Sequence, residues 1–138
     1  MNRLMGLDVG DRTIGVALSD PLMITAQGLE TIRRENYIKD LNKLKEIVNN
    51  YNVNKIIVGL PKRLDGTIGI QSEKVIKFAD KLKEDLQIPI EFQDERFTTS
   101  MSERILINAD VKRKNRKKVI DKLAAVQILT TYIEKNRR

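Results

Sequence analysis

The stretch Leu4–Asp20, LMGLDVGDRTIGVALSD, constrains the fold more than any other part of the chain. Two apolar runs, Leu4 to Val9 and Ile14 to Leu18, are joined by a tight turn at Gly10-Asp11-Arg12, the pattern of a β-hairpin. Side chains alternate along a strand, so Leu4, Gly6 and Asp8 share one face while Met5, Leu7 and Val9 take the other. Both faces are apolar up to Asp8, which describes a central strand covered on both sides. Gly6 and Gly15 leave room for a neighbouring chain or a ligand to come close. An ionised carboxylate at Asp8 is costly unless it is paired, hydrogen-bonded or bound to a cation. Asp8 is therefore a candidate functional residue. The competing reading is a turn aspartate satisfied by the backbone amides of Gly10 and Asp11.

Composition narrows the chemistry. The 138 residues include no Cys and no His, which excludes disulfides, thiolate or imidazole zinc sites and every triad built on histidine. Carboxylates, hydroxyls, Lys, Arg, backbone amides and oxygen-loving cations such as Mg²⁺ or Mn²⁺ remain. The length suits one domain spanning 1–138. No apolar stretch approaches the length of a membrane span and no signal peptide is evident, so the expected location is cytoplasmic and no membrane partner is expected. Lys and Arg number 26 against 19 acidic residues, and the excess is local. KRKNRKK, Lys112 to Lys118, holds six cations and no anion. A block of this kind points to a polyphosphate partner; its alternative is a solvated charge run.

The rest of the chain alternates. Thr25 to Arg34 is a weaker strand pattern suited to an edge. Apolar residues at 3–4 spacing from Tyr37 to Tyr51 predict an amphipathic helix, and Lys55 to Leu60 a buried strand stopped by Pro61. Asp65-Gly66 marks a turn, followed by a helix over Gln71–Leu86 and a strand over Ile88–Phe92, buried by Ile88, Ile90 and Phe92. Thr98 or Thr99 caps a further helix. The basic block then interrupts before a final helix from about Lys118 to Lys135. The order β-β-β-α-β-α-β-α-α predicts an α/β fold, a mixed five-stranded sheet with helices on both faces and chemistry in the crevice at the strands' carboxyl ends.

Two more carboxylates are out of place. Glu95 ends the last strand beside Asp94, whose like charge raises a pKa unless a cation intervenes, although Arg96 offers it a plain ion pair. Asp121 shares a helical stripe with Ala124, Ala125 and Ile128 instead of facing water; its alternative role is a first-turn acid favoured by the helix dipole. Asp8, Glu95 and Asp121 converging from two strands and a helix would form an oxygen cage for divalent cations. Two such ions activate a water and stabilise the leaving oxygen of a phosphodiester, and a basic loop nearby would hold the backbone.

GLDVGDRTIGVALSD, VGLPKRLDGT, DERFTT and KKVIDKLAAVQIL together resemble, in order and spacing, the four motif blocks of the YqgF (RuvX) family, nucleases described as Holliday-junction-resolvase-like and as maturing the 5′ end of pre-16S rRNA. The resemblance implies an RNase H-like fold and a metal-dependent nuclease acting on nucleic acid, RNA before branched DNA. It carries the acidic site, catalytic and metal-binding, onto Asp8, Glu95 and Asp121 and the basic loop onto Lys112 to Lys117. Arg12, Lys62 and Arg63 join Lys112, Arg113, Lys114, Arg116, Lys117 and Lys118 as nucleic-acid-binding candidates. Gly10, Gly15, Asp94, Arg96 and Thr98 are supporting candidates, with Arg96 expected to brace the turn that aims Glu95. Two departures stand out. Leu64 takes a place where Met is expected, and Ala124 lies three residues after Asp121, where better-known resolvases carry another aspartate. Three carboxylates leave the number of metals open. A catalytically silent nucleic-acid-binding module shares every basic feature. A nucleotide phosphotransferase would share the Asp-x-Gly turn but needs two such lobes. Oligomeric state carries no signal.

The basic block generates a test. Replacing Arg113, Lys114, Arg116 and Lys117 by Ala is expected to weaken binding similarly for unrelated nucleic-acid sequences. Removing one cation–phosphate interaction should lower the log–log salt slope by about 0.7 to 0.9. An unchanged slope in a filter-binding titration would mark the block as a solvated tail.

Overall fold

The computed structural model describes residues 2–61, 69–94 and 113–136, with 113–121 described by their helical backbone alone. The opening hairpin forms as expected: β1 (Arg3–Val9) and β2 (Thr13–Ser19) pair antiparallel from Met5–Leu18 to Val9–Ile14, with Gly15 opposite Asp8. β3 (Ala26–Arg33) adds antiparallel to β2, and its ladder shifts where Leu29 is the extra residue between Gly28 and Glu30. Helix α1 (Tyr37–Tyr51) starts at Asn36, whose side chain accepts the Lys39 amide at 3.0 Å. It stops at Asn52, which takes the left-handed conformation open to Asn. β4 (Val53–Leu60), α2 (Ile70–Leu86), β5 (Ile90–Asp94) and α3 (Arg113–Asn136) complete the described elements.

The sheet order is β3-β2-β1-β4-β5. β1 and β4 are parallel, as are β4 and β5, so the mixed five-stranded sheet expected from the element order is present. Two expectations need correction. β5 begins at Ile90, not Ile88, and is an edge strand; Phe92 is 39% exposed and Ile90 only half-buried. With a neighbour on one side only, an edge strand cannot be covered as β1 and β4 are. The final helix begins at Arg113, not near Lys118, so the basic block does not interrupt it. Lys and Arg are good helix formers, and local charge repulsion did not outweigh that propensity. The helix expected after Thr98 or Thr99 lies outside the described residues.

Each face of the sheet carries its own core. Met5, Leu7, Ile14, Val16, Ile56 and Val58 pack under α1 and α2 against Leu44, Ile47, Val75, Phe78 and Leu82. Leu4, Ala17 and Ile57 pack under α3 against Ala125, Ile128, Leu129 and Ile133. This is the two-sided burial that the apolar runs of β1 and β4 call for. The helix α3 comes closest at Gly6, where an added Cβ would lie 3.0 Å from the Ala125 carbonyl oxygen and 3.0 Å from the Leu129 Cβ. At its other end the Tyr132 hydroxyl donates to Glu91 of β5, and Lys55 of β4 lies 3.1 Å from that hydroxyl and 3.0 Å from the Glu91 carboxylate. Tyr132 thus sits over the starts of β4 and β5. The helix therefore runs against these strands, with its first turns towards their carboxyl ends.

Gly6→Ala should destabilise by about 1–3 kcal/mol in urea unfolding, because backbone and not a flexible side chain must move. Gly28→Ala, whose Cβ would meet Lys122 at an ordinary 3.5 Å, should stay within about 0.5 kcal/mol. The Tyr132 hydroxyl and then Lys55 hold the Glu91 carboxyl below its ordinary 4.5. A depressed carboxyl pKa contributes stability that is present above 4.5 and lost as pH falls through the lower native value. Tyr132→Phe should cost about 0.5–1.5 kcal/mol at pH 7 and flatten that acid limb in melts recorded across pH.

Candidate active site

Because β1, β4 and β5 are parallel, their carboxyl ends lie on one edge of the sheet. Leu7 is level with Val58 and Val58 with Phe92; one step on, Asp8 is level with Gly59, which pairs with Gln93. Alternation puts Asp8 on the face covered by α3, two residues beyond Gly6. Its carboxylate is half-buried at the end of the central strand. Gly15 on β2 and Gly59 on β4 flank it on that same face, since Ala17 and Ile57, two residues away on each strand, belong to the core under α3. Neither neighbour carries a side chain, so the two flanking strands leave a notch in the backbone edge at Asp8.

Position 121 approaches this notch from the helix. Ala125 is fully buried against Gly6, and Asp121 lies four residues earlier, about 6 Å along the helix axis. From Gly6 to Asp8 the strand advances about 6.7 Å in the same direction. The backbone therefore carries Asp8 and position 121 to the same edge on the same face. Glu95 follows Asp94, the half-buried last residue of β5, and lies outside the described residues together with Arg96, Thr98, Lys62, Arg63 and Lys112. Among the described residues no group of three potential metal-ligating side chains occurs; two of the three acids expected to form one contribute no described side chain.

The other candidates divide by element. Gly10 and Arg12 form the β1–β2 turn, in which the Gly10 amide donates to the Thr13 carbonyl at 2.9 Å. Arg12 is exposed at its tip. Arg113, Lys114, Arg116, Lys117 and Lys118 occupy the first turns of α3, the end that faces the carboxyl edge. Sequence reasoning missed Gly59 and Gln93. The signal for Gly59 was present, a glycine two residues after Ile57 in KIIVGL. Gln93 is 9% exposed and level with the notch; nothing in IEFQDE separates it from an ordinary polar edge residue.

The family model described as "RuvX: Holliday junction resolvase" matches residues 2–135. Proteins named "Putative pre-16S rRNA nuclease" include one from Desulforamulus reducens, 57% identical with 96% of both chains covered. Others come from Caldanaerobacter subterraneus subsp. tengcongensis, 54% identical with 98% of both covered, and Clostridium acetobutylicum, 52% identical with 95% of this chain and 97% of the relative covered. Among solved structures, RuvC of T. thermophilus in complex with a Holliday junction substrate superposes with a TM-score of 0.58 at 11% identity, over 96% of this chain and 94% of that one. The Fowlpox virus resolvase with Holliday junction DNA gives 0.60 at 15% identity, over 99% of each. These structural likenesses are of fold, the RNase H-like architecture of the resolvases. With a family model spanning nearly its whole length and relatives more than half identical to it, the chain belongs to the RuvX family of nucleases.

Proposed function

We propose that the chain, acting as one domain in the cytoplasm, is a divalent-metal-dependent endonuclease that trims the 5′ end of pre-16S rRNA. The observation that carries this reading is the notch: a half-buried aspartate at the carboxyl end of a central strand, between two glycines, with position 121 brought to the same edge by α3. The names of the relatives support the ribosomal precursor as substrate. The resolvase family description and the junction-bound fold relatives favour a second reading, cleavage of branched DNA.

The donor set suits a hard cation. With no Cys or His in the chain, carboxylate oxygens are the available ligands, and Mg²⁺ or Mn²⁺ takes them together with water and phosphate oxygens. Asp8, Glu95 and Asp121 would hold it. When bound, the metal supplies an activated water and neutralises charge on the leaving oxygen. The chain's own part is to aim these carboxylates and to hold the strand. Glycine on both sides of Asp8 keeps β2 and β4 from placing a side chain between a phosphate and the carboxylate. Arg12, Lys62, Arg63 and the cations from Lys112 to Lys118 contact phosphates and set the register of the strand without reading its bases.

Labelled precursor rRNA and a four-way DNA junction, each incubated with and without Mn²⁺, test both readings. Mn²⁺-dependent cleavage of the precursor at a discrete position is expected; cleavage of the junction alone would favour the second reading, and cleavage of neither would reject both. Asp8→Asn should reduce cleavage by more than about 100-fold, the upper end of what weakening a metal's supporting partners costs. Its melting temperature should change little, because the substitution keeps the side chain's shape.

A further inference from the structure

We propose that Arg34 and Asp40 are positioning residues for Asp8, acting through the carbonyl of Gly10; this rests on the reading of Asp8 as a metal ligand. Arg34 follows β3, and its guanidinium touches three other elements. Its Nη1 donates to the Gly10 carbonyl at 2.6 Å, and its Nε lies 3.4 Å from Oδ2 of Asp40 in the first turn of α1. Its guanidinium carbon lies over the Phe78 ring of α2, 4.8 Å from the centroid. The Arg34 amide also donates to the Arg12 carbonyl at 2.8 Å. Asp40 is 1% exposed, and its other oxygen accepts the Glu35 amide at 3.1 Å. One planar cation therefore ties the turn after Asp8 to both helices beneath the sheet, a geometry that a guanidinium fork supplies and an ammonium does not.

Among the described residues, a cavity of about 430 Å³ borders the turn where apolar packing would otherwise hold it, lined by Val9, Asp11, Arg34, Asp40, Lys74 and Val75 among others. The other described tie across it is the Asp11–Lys74 pair at 3.5 Å, whose side chains are 62% and 58% exposed. Exposed pairs of that kind hold weakly. The antiparallel ladder of β1 and β2 runs through to Val9–Ile14 on its own backbone pairs, so the hairpin is expected to survive without the clamp. What relaxes is the Gly10 carbonyl, and with it the aim of Asp8 two residues earlier; Arg12 stays tied by the backbone amide of residue 34.

Arg34→Lys tests this, because it keeps a cation beside the buried Asp40 and removes the fork. Arg34→Gln combined with Asp40→Asn is the second variant, which leaves no unpaired buried charge. Ile47→Val, in the core under α1 and away from the turn, is the control for ordinary destabilisation. Mn²⁺ affinity is read from the free-ion electron paramagnetic resonance signal, RNA affinity in EDTA, and the cleavage rate at saturating RNA. Both Arg34 variants should bind Mn²⁺ about fivefold more weakly and cleave about tenfold more slowly, near the low end for residues that support metal ligands. RNA affinity in EDTA should stay within about twofold, since phosphate contacts dominate it. Arg34 variants that match wild type in Mn²⁺ affinity and rate, that lose no more than Ile47→Val at equal melting temperature, or that both fail to fold would overturn the proposal in favour of a plain structural role. Wild-type protein that neither binds Mn²⁺ nor cleaves RNA would reject the nuclease reading, and this proposal with it.

Discussion

The close contact between Gly6 of β1 and Ala125 of α3 is the constraint on which the candidate site depends. A side chain at Gly6 would collide with the helix backbone itself, so only glycine lets α3 lie so near the central strand. Two residues along the strand and one turn along the helix, that proximity becomes the convergence of Asp8 and position 121. The same contact sets the depth of α3 over the sheet, and so the height at which its cationic first turns meet the carboxyl edge. At the other end the Tyr132–Glu91–Lys55 cluster anchors the helix to the starts of β5 and β4. Together the two attachments orient α3 as well as bring it close.

The two faces of the sheet do different work. Under α1 and α2 the core is built of large side chains, among them Met5, Leu7, Ile14, Leu44, Ile56 and Leu82, and full burial of such residues is worth about 1.5–3 kcal/mol each. Under α3 small residues, Gly6, Ala17 and Ala125, admit a close helix. Such a division lets one face secure the strands while the other holds a half-buried carboxylate. The turn after Asp8 lies at the rim of the first face, beside a cavity, where Arg34 and Asp40 supply polar ties in place of packing.

Local patterns explain what could be read directly. The hairpin, the helix over Tyr37–Tyr51, and the buried strand ending at Leu60 each follow from periodicity and from turn residues, and each formed within a residue or two of expectation. β5 was less legible, because the apolar residues Ile88, Ile90 and Phe92 look the same in an edge strand as in a buried one. The start of α3 was misread because six like charges suggested a break, whereas helix propensity carried the backbone through from Arg113. Gln93 was invisible as a buried residue, since its burial depends on where β5 stops relative to β4 and α3.

For the site, the sequence by itself determined the chemistry: no thiol and no imidazole, one carboxylate at the end of an apolar strand, another in an alanine stripe, and a concentrated block of cations. Residue type and spacing are local properties, and they survive without a fold. Only the tertiary structure decided which segments lie side by side. Strand order put β1 beside β4, parallel register placed Gly59 next to Asp8, and the Gly6–Ala125 contact brought α3 to the same notch. Those pairings join segments far apart in the chain, and their geometry is set by the packing of backbone against backbone, which no single segment encodes.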